Sequence, residues 1–362
     1  MRGAVECSDL SGDARPAAYS RVSTSLALRS DRGLRELVDA AEPLGSGIGG
    51  RSALLEVSGT PVFVKRVPLT DIERLPEHRR STANVFGLPT FCQYGIGAPG
   101  FGAWRELAAH TMTTNWVLAG ECEGFPLMYH WRVLPDTAPD LPAELADVER
   151  AVAYWGGGPE IRRRIEAFQR SSASLVLFLE YIPQTLHAWL TQQVGAGGES
   201  ADRACSLVEK ELETGTSFMS ERGLLHFDAH FENILTDGRR LYFADYGLAL
   251  SSRFDLSPSE ADFFDRHRTY DRAYTVSYLV NWLITAVYGY ERAERQALIH
   301  ACAEGKRPPA GPREVTAILT RHTPLAAVVT DFYLKLQHES RETPYPLEAI
   351  HRACQADRPW PG

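Results

Sequence analysis

The chain lacks a cysteine framework, a long apolar run and an excess of basic residues, and each lack removes a class of protein. Its six cysteines (Cys7, Cys92, Cys122, Cys205, Cys302, Cys354) are scattered, with no C-x-x-C pair. That spacing fits neither a zinc ribbon nor a small disulfide scaffold, and reduced thiols in a cytoplasmic protein are expected. No run of about 18 apolar residues occurs, so no membrane span is expected. The first residues, MRGAVECSDLSGDARPAAYS, lack the apolar core of a signal peptide and read as a flexible lead-in over residues 1–30. Lys and Arg number 38 against 46 Asp and Glu, a net charge of −8. Nucleic acid is not an expected partner of a chain with that balance.

What is present is globular composition. Of 362 residues, 44% are hydrophobic and 23% charged, enough for one large core or two lobes. DRGLRELVDAAEPL has helical spacing and is followed by GSGIGG, SALLEV, SGTP and VFVKRV. Apolar, β-branched runs around Gly-Thr-Pro punctuation predict strand, tight turn, strand. Residues 68–102, rich in Pro, Gly and Thr, read as an insertion with one short helix near DIERLPEHRR. AWRELAAHTMTTNWVLAG is expected to be an amphipathic helix, FPLMYHWRVL a strand and SLVLFLEYI a buried strand. A long helix is expected through ADRACSLVEKELETGTSFMSERG, ending near Gly223. NILTD and LYFAD bracket the turn DGRR, and the chain from about Phe254 reads as helical with proline breaks. Strands early and helices late predict an α+β chain.

One stretch concentrates chemistry: LLHFDAHFENILTDGRRLYFADYGLAL, Leu224 to Leu250. A phosphoryl donor such as ATP binds with its charge neutralised by magnesium, which takes hard oxygen ligands. Asn233 and Asp245 supply an amide oxygen and a carboxylate at the ends of two adjacent strands. Asp228 is placed to orient an incoming hydroxyl and accept its proton. A competing reading makes His226, His230 and Asp228 zinc ligands, but it leaves Asn233, the DYG at Asp245–Gly247 and Lys65 unexplained.

The residues also carry a family resemblance. HFDAHFEN resembles the H-x-D-x-x-x-x-N catalytic loop of the protein-kinase-like superfamily, and DYG resembles its D-F-G. His230 makes the loop more similar to aminoglycoside and choline kinases. Upstream, GSGIGG matches a Gly-rich loop at Gly45, Gly47 and Gly50, VFVKRV resembles the strand that carries the phosphate-binding lysine, here Lys65, and LFLEYIP resembles the adenine-binding hinge, with Leu179 near the gatekeeper position and Glu180, Tyr181 and Ile182 in the hinge. The set runs from about Leu44 to Leu250, more than half the chain.

The resemblance implies a bilobal protein-kinase-like fold: a small β-rich N-lobe with the insertion over residues 31–182, a larger helical C-lobe over 183–362, and ATP between them. It implies that Asn233 and Asp245 hold magnesium, that the glycines and Lys65 hold phosphate, and that Lys65 has a glutamate partner on a helix. Glu106 is the expected partner, with Glu73 and Glu77 nearer in sequence but in a proline-broken stretch. The chain departs from protein kinases after DYG, where LALSSRFDLSPSEADFFDRHRTYDRAY contains no A-P-E. Asp271 matches only loosely the buried aspartate of the following helix. The expected activity is phosphoryl transfer to a hydroxyl, favouring Ser or Thr of a protein or peptide, including a peptide that a partner enzyme then processes. A small-molecule alcohol and a nucleotide-binding pseudokinase are the alternatives. Glu260, Asp262 and Asp265 would suit a cationic acceptor, or form a solvated helix face.

Overall fold

Alternation in LLEV and VFVKRV, with two left-handed residues between them, builds the hairpin at the centre of the first half of the chain. Ser58 and Gly59 adopt φ of 52 and 75°, the pair of positive values that a two-residue hairpin turn needs. The computed structural model describes residues 14–47, 50–95, 98–138, 141 and 143–356. These residues form two compact units: those within Met1–Leu88, Ile96–Pro183 and Asp245–Gly247 make the first, and those within Pro89–Gly95, Gln184–Ala244 and Leu248–Gly362 the second.

The first unit opens with α1 (Ala14–Ala27) and α2 (Asp31–Asp39), then β1 (Glu42–Gly47), β2 (Gly50–Val57) and β3 (Thr60–Leu69). The short α3 (Asp71–Arg74) and α4 (Ala103–Leu118) follow, then β4 (Met128–Pro135), α5 (Ala143–Ala146), α6 (Val148–Tyr154), α7 (Pro159–Gln169) and β5 (Ala173–Glu180). The strands form one antiparallel sheet in the order β1-β2-β3-β5-β4. β5 is buried along its whole length, as its apolar run Leu175–Leu179 requires of a strand covered on both faces. Val67, Leu69, Leu175, Leu177 and Leu179 pack with Trp104 and Leu107 of α4.

The expected flexible lead-in is corrected over part of its length. Residues 14–27 are helical, and Arg15, Val22 and Leu26 of α1 are buried. An apolar pattern with only two buried hydrophobes, Val22 and Leu26, hides this helix from periodicity, because its third buried anchor is the charged Arg15. Residues 1–13 lie outside the described residues. The 68–102 segment contains α3, as read, and a 3-10 turn at Thr90–Tyr94.

The second unit contains β6 (Gln184–Thr185), α8 (Leu186–Ala196), α9 (Gly198–Glu221), β7 (Leu224–Leu225), β8 (Ile234–Thr236), β9 (Leu241–Phe243) and β10 (Leu250–Ser251). Helices α10 (Pro258–Arg266), α11 (Tyr270–Tyr288), α12 (Arg292–Ala303), α13 (Arg313–His338) and α14 (Leu347–Ala356) complete it. β8 pairs with β6 and β9, and β7 with β10. Asp237 closes the β8–β9 turn by accepting the N–H groups of Arg239 and Arg240 at 2.8 and 3.0 Å. Ala273, Val276, Leu325, Val329 and Ile350 gather α11, α13 and α14 into a core. Pro324 lies inside α13 and does not end it. Among the described residues no helix is long and apolar enough to cross a membrane. The architecture is mixed α+β, with a small antiparallel sheet and many helices.

Candidate active site

In the first unit, β3 carries Lys65 in register with Ser52 of β2 and Leu177 of β5. Its stem is surrounded by sheet, and the residue is 7% exposed. A lysine at that depth needs a counter-charge, and it has two. Nζ lies 2.7 Å from Glu106 Oε1 and 2.8 Å from Asp245 Oδ1. Glu106 sits in the first turn of α4 and is 2% exposed. Burial alone would lower the Lys65 pKa, but Asp245 and Glu106 outweigh it and hold the ammonium charged. Glu106 is pushed up to about 7 by its burial, with Lys65 pulling it down and Asp245 pushing it up.

The segment Asp245–Gly247 is fixed to the same helix. Tyr246 is fully buried, its ring edge-on to His110 of α4 with centroids 4.8 Å apart, and Thr113 of α4 bonds its hydroxyl. Asp245 has a left-handed φ of 63°, a conformation that costs a non-glycine residue energy and concentrates at functional positions. Its Oδ1 also accepts the N–H of Gly247 at 3.3 Å.

The other predicted residues of this unit divide. Gly45 and Gly47 end β1 and Gly50 begins β2, with Gly45 opposite Ser52 and Gly47 opposite Gly50; Ile48 and Gly49, at the tip, lie outside the described residues. Gly50 is glycine for a structural reason: its φ is 114°, and a Cβ would stand 2.1 Å from the carbonyl oxygen of Arg66. Gly45 meets no such limit, since a Cβ there would have no neighbour within 4 Å. Glu73 does not reach Lys65. It forms a capping box with Thr70, accepts the Ala103 N–H at 2.8 Å, and pairs with the buried Arg164 at 2.9 Å. Glu180 ends β5 with its carboxylate turned inward to Arg15 at 2.7 Å, and Tyr181 and Ile182 follow, half-buried and buried.

In the second unit a loop organised by α11 holds the remaining candidates. Asp271, buried in the first turn of α11, accepts the N–H of His226 at 2.6 Å and of Phe227 at 2.9 Å. Burial pushes its pKa up to about 6, against the pull of those two N–H groups. Phe227 is left-handed, φ 62°, which reverses the chain into Asp228. His226 Nε2 donates to the Ala244 carbonyl at 2.9 Å, so its Nδ1 is the acceptor for the Asp228 N–H at 3.3 Å. His226 is thus a brace with both nitrogens engaged, and the zinc reading loses its first ligand. Among the described residues no three His, Cys, Asp or Glu side chains gather as a metal-binding group.

Asn233 donates from Nδ2 to the Asp228 carbonyl and to Asp228 Oδ2, both at 3.0 Å. That aims the carboxylate and leaves the amide oxygen of Asn233 as its remaining ligating atom. His230 accepts the Glu232 N–H at Nδ1 (3.2 Å), which in the neutral ring places its proton on Nε2, 3.8 Å from Asp228 Oδ1. Glu232 is exposed, 3.7 Å from His187. The acidic residues of α10 divide: Glu260 is buried and taken up by the Ser257 capping box, while Asp262 and Asp265 are exposed and pair with Arg266 and Arg268.

Sequence reasoning passed over two features. Arg15 bonds Glu180 across most of the first unit. Tyr274, Tyr278 and Trp282, spaced by four along α11, are half-buried, with Tyr278 beside His230 and Phe231. The repeating aromatic in YDRAYTVSYLVNW was the available signal. Neither models of known protein families nor curated proteins give any match to this chain.

Proposed function

We propose that the chain is an ATP- and magnesium-dependent phosphotransferase of bilobal protein-kinase-like fold that acts on a hydroxyl, with Ser or Thr of a protein or peptide as the favoured acceptor. The observation that carries this reading is the buried Lys65 ammonium held by two carboxylates from distant parts of the chain. A fold has little structural need for a cation there, since an apolar residue would fill the strand without burying the charges of Lys65 and Glu106. A phosphate-binding lysine needs that environment: charged, aimed, and partnered when no phosphate is bound.

In this reading Glu106 holds Lys65 in place and Lys65 contacts phosphate as a point charge. The glycines of the β1–β2 turn bring backbone close to it, and the backbone at Glu180–Ile182 receives the base. Asp228 orients the acceptor hydroxyl and takes its proton, with Asn233 and His226 fixing its direction. Asn233 in the second unit and Asp245 in the first each carry a hard oxygen donor of the kind magnesium takes from protein, with phosphates and water completing its shell. Bound magnesium would neutralise charge on the transferring phosphate. A small-molecule acceptor is the second reading, favoured by the half-buried aromatic stripe of α11 beside His230.

Purified protein, radiolabelled ATP, a peptide library and a panel of small alcohols test the proposal. Transfer to a peptide supports the first reading, transfer to an alcohol the second, and nucleotide binding without transfer a pseudokinase. Asp228→Asn is expected to abolish transfer while leaving ATP affinity nearly unchanged. Full turnover in that variant would remove Asp228 from the chemistry.

A further inference from the structure

Arg15 is 3% exposed, and its partners are specific. Nε donates to Glu180 Oε1 at 3.0 Å and Nη2 to Glu180 Oε2 at 2.7 Å, a two-pronged fork on the carboxylate. Nη1 donates to the carbonyl of Glu123 at 3.0 Å and Nη2 to that of Phe125 at 2.6 Å. Glu180 in turn accepts the Leu127 N–H at 3.0 Å and donates its own N–H to the Leu127 carbonyl at 2.7 Å. One guanidinium therefore ties together α1, the segment leading into β4, and the last residue of β5. Val22 and Leu26 seat the rest of α1, and Tyr19 lies against Tyr129 of β4 with ring centroids 6.3 Å apart.

Glu180 is also the first residue of the segment assigned to the base of the nucleotide. Its carboxylate is committed inward, so any contact with a base falls to backbone from Glu180 to Ile182. The direction of that backbone depends on what holds Glu180. We propose that Arg15 is a positioning residue for nucleobase recognition: its fork on Glu180 sets the Glu180–Ile182 backbone, and α1 belongs to the nucleotide-recognising unit. This inference rests on the kinase reading. Arg15 itself touches no ligand. Phosphate recognition, through Lys65 and the β1–β2 turn, does not run through it.

That separation gives a test a merely structural residue would fail. Affinities of the full chain for magnesium ATP, adenosine and magnesium tripolyphosphate are measured by calorimetry for wild type, Arg15→Met and Arg15→Lys. Loss of the fork is expected to weaken ATP and adenosine by about 10-fold or more, the scale of a lost charged hydrogen bond, and tripolyphosphate by less than about 2-fold. Arg15→Lys, which keeps charge without the fork, is expected to fall between wild type and Arg15→Met. Equal weakening of all three ligands, or of none, overturns the inference. Wild type that binds no ATP overturns the kinase reading and this inference with it, whereas wild type that binds ATP with an unchanged selectivity ratio in Arg15→Met overturns this inference alone. If Arg15→Met does not fold, the double variant Arg15→Met/Glu180→Gln serves. It buries no unpaired charge and keeps an acceptor for the Leu127 N–H, and it is expected to show the same loss of selectivity for the base.

Discussion

Lys65, Glu106 and Glu73 show how little a residue's type says about its work until its partners are known. Two buried glutamates lie close in sequence, Glu73 inside the insertion and Glu106 just after it; Glu106 faces the phosphate-binding candidate and Glu73 holds a structural arginine. Glu106→Gln leaves Lys65 with Asp245 as a counter-charge and is expected to cost activity more than stability. Glu73→Gln leaves the Arg164 guanidinium without its carboxylate, and breaking a buried pair costs about 3–5 kcal/mol. Thermal unfolding and ATP turnover on both variants check the contrast, and an inactive but fully stable Glu73→Gln would reverse the assignment. A second residue gives a pH signature. His267 is buried, accepts from the Tyr94 hydroxyl at 2.5 Å, and donates to the Phe263 carbonyl at 2.6 Å. Burial brings its pKa down to about 4. Between that value and the unfolded value of about 6.5, only the unfolded chain takes up the proton, so stability is complete above pH 6.5 and lost as pH falls toward 4. The gap corresponds to about 3 kcal/mol. The melting temperature of wild type should fall more than that of His267→Gln over this range, and parallel pH curves would show that His267 does not titrate there.

At the scale of elements, the glycine turn separates folding from binding. Gly50→Ala forces a left-handed backbone onto a side chain and drives its Cβ into the Arg66 carbonyl, so the β2–β3 contact must open. A loss of at least about 1–3 kcal/mol is expected, visible in thermal unfolding. Gly45→Ala is expected to keep wild-type stability, because nothing crowds the site. A raised KM for ATP in Gly45→Ala would then report on phosphate approach alone; a drop in its melting temperature would contradict this division. The same elements show what was legible beforehand. β2, β3 and α4 could be read because each obeys one period, and a lysine inside VFVKRV demands an acidic partner, which Glu106 of α4 supplies. The β8–β9 hairpin could be read from DGRR. α1 could not, since its packing rests on Arg15 as much as on Val22 and Leu26, and no periodicity rule counts an arginine as core. Nor could the turn into Asp228, where the left-handed Phe227 and the two N–H bonds to Asp271 depend on a residue 44 positions away.

Across the whole molecule, the chain alternates between two units: the first lends Pro89–Gly95 to the second, and the second gives Asp245–Gly247 back to the first. Each unit has a hydrophobic core of its own, around Leu175, Leu177 and Leu179 in the first and around Val276, Leu325 and Val329 in the second. Cooperative unfolding follows cores, so two transitions are expected in calorimetry. Leu177→Ala and Leu325→Ala each empty a fully packed site, at about 2–5 kcal/mol, and each should lower a different transition. The proposed phosphate ligand Lys65 and both its carboxylates lie in the first unit. Magnesium ATP at about 100 times its dissociation constant adds roughly 2.7 kcal/mol to whatever folds around it. It should therefore raise the transition that Leu177→Ala lowers, and Lys65→Met should abolish that rise. A single transition moved equally by both core variants would mean that the chain unfolds as one block. A nucleotide effect that survives Lys65→Met would place phosphate recognition elsewhere.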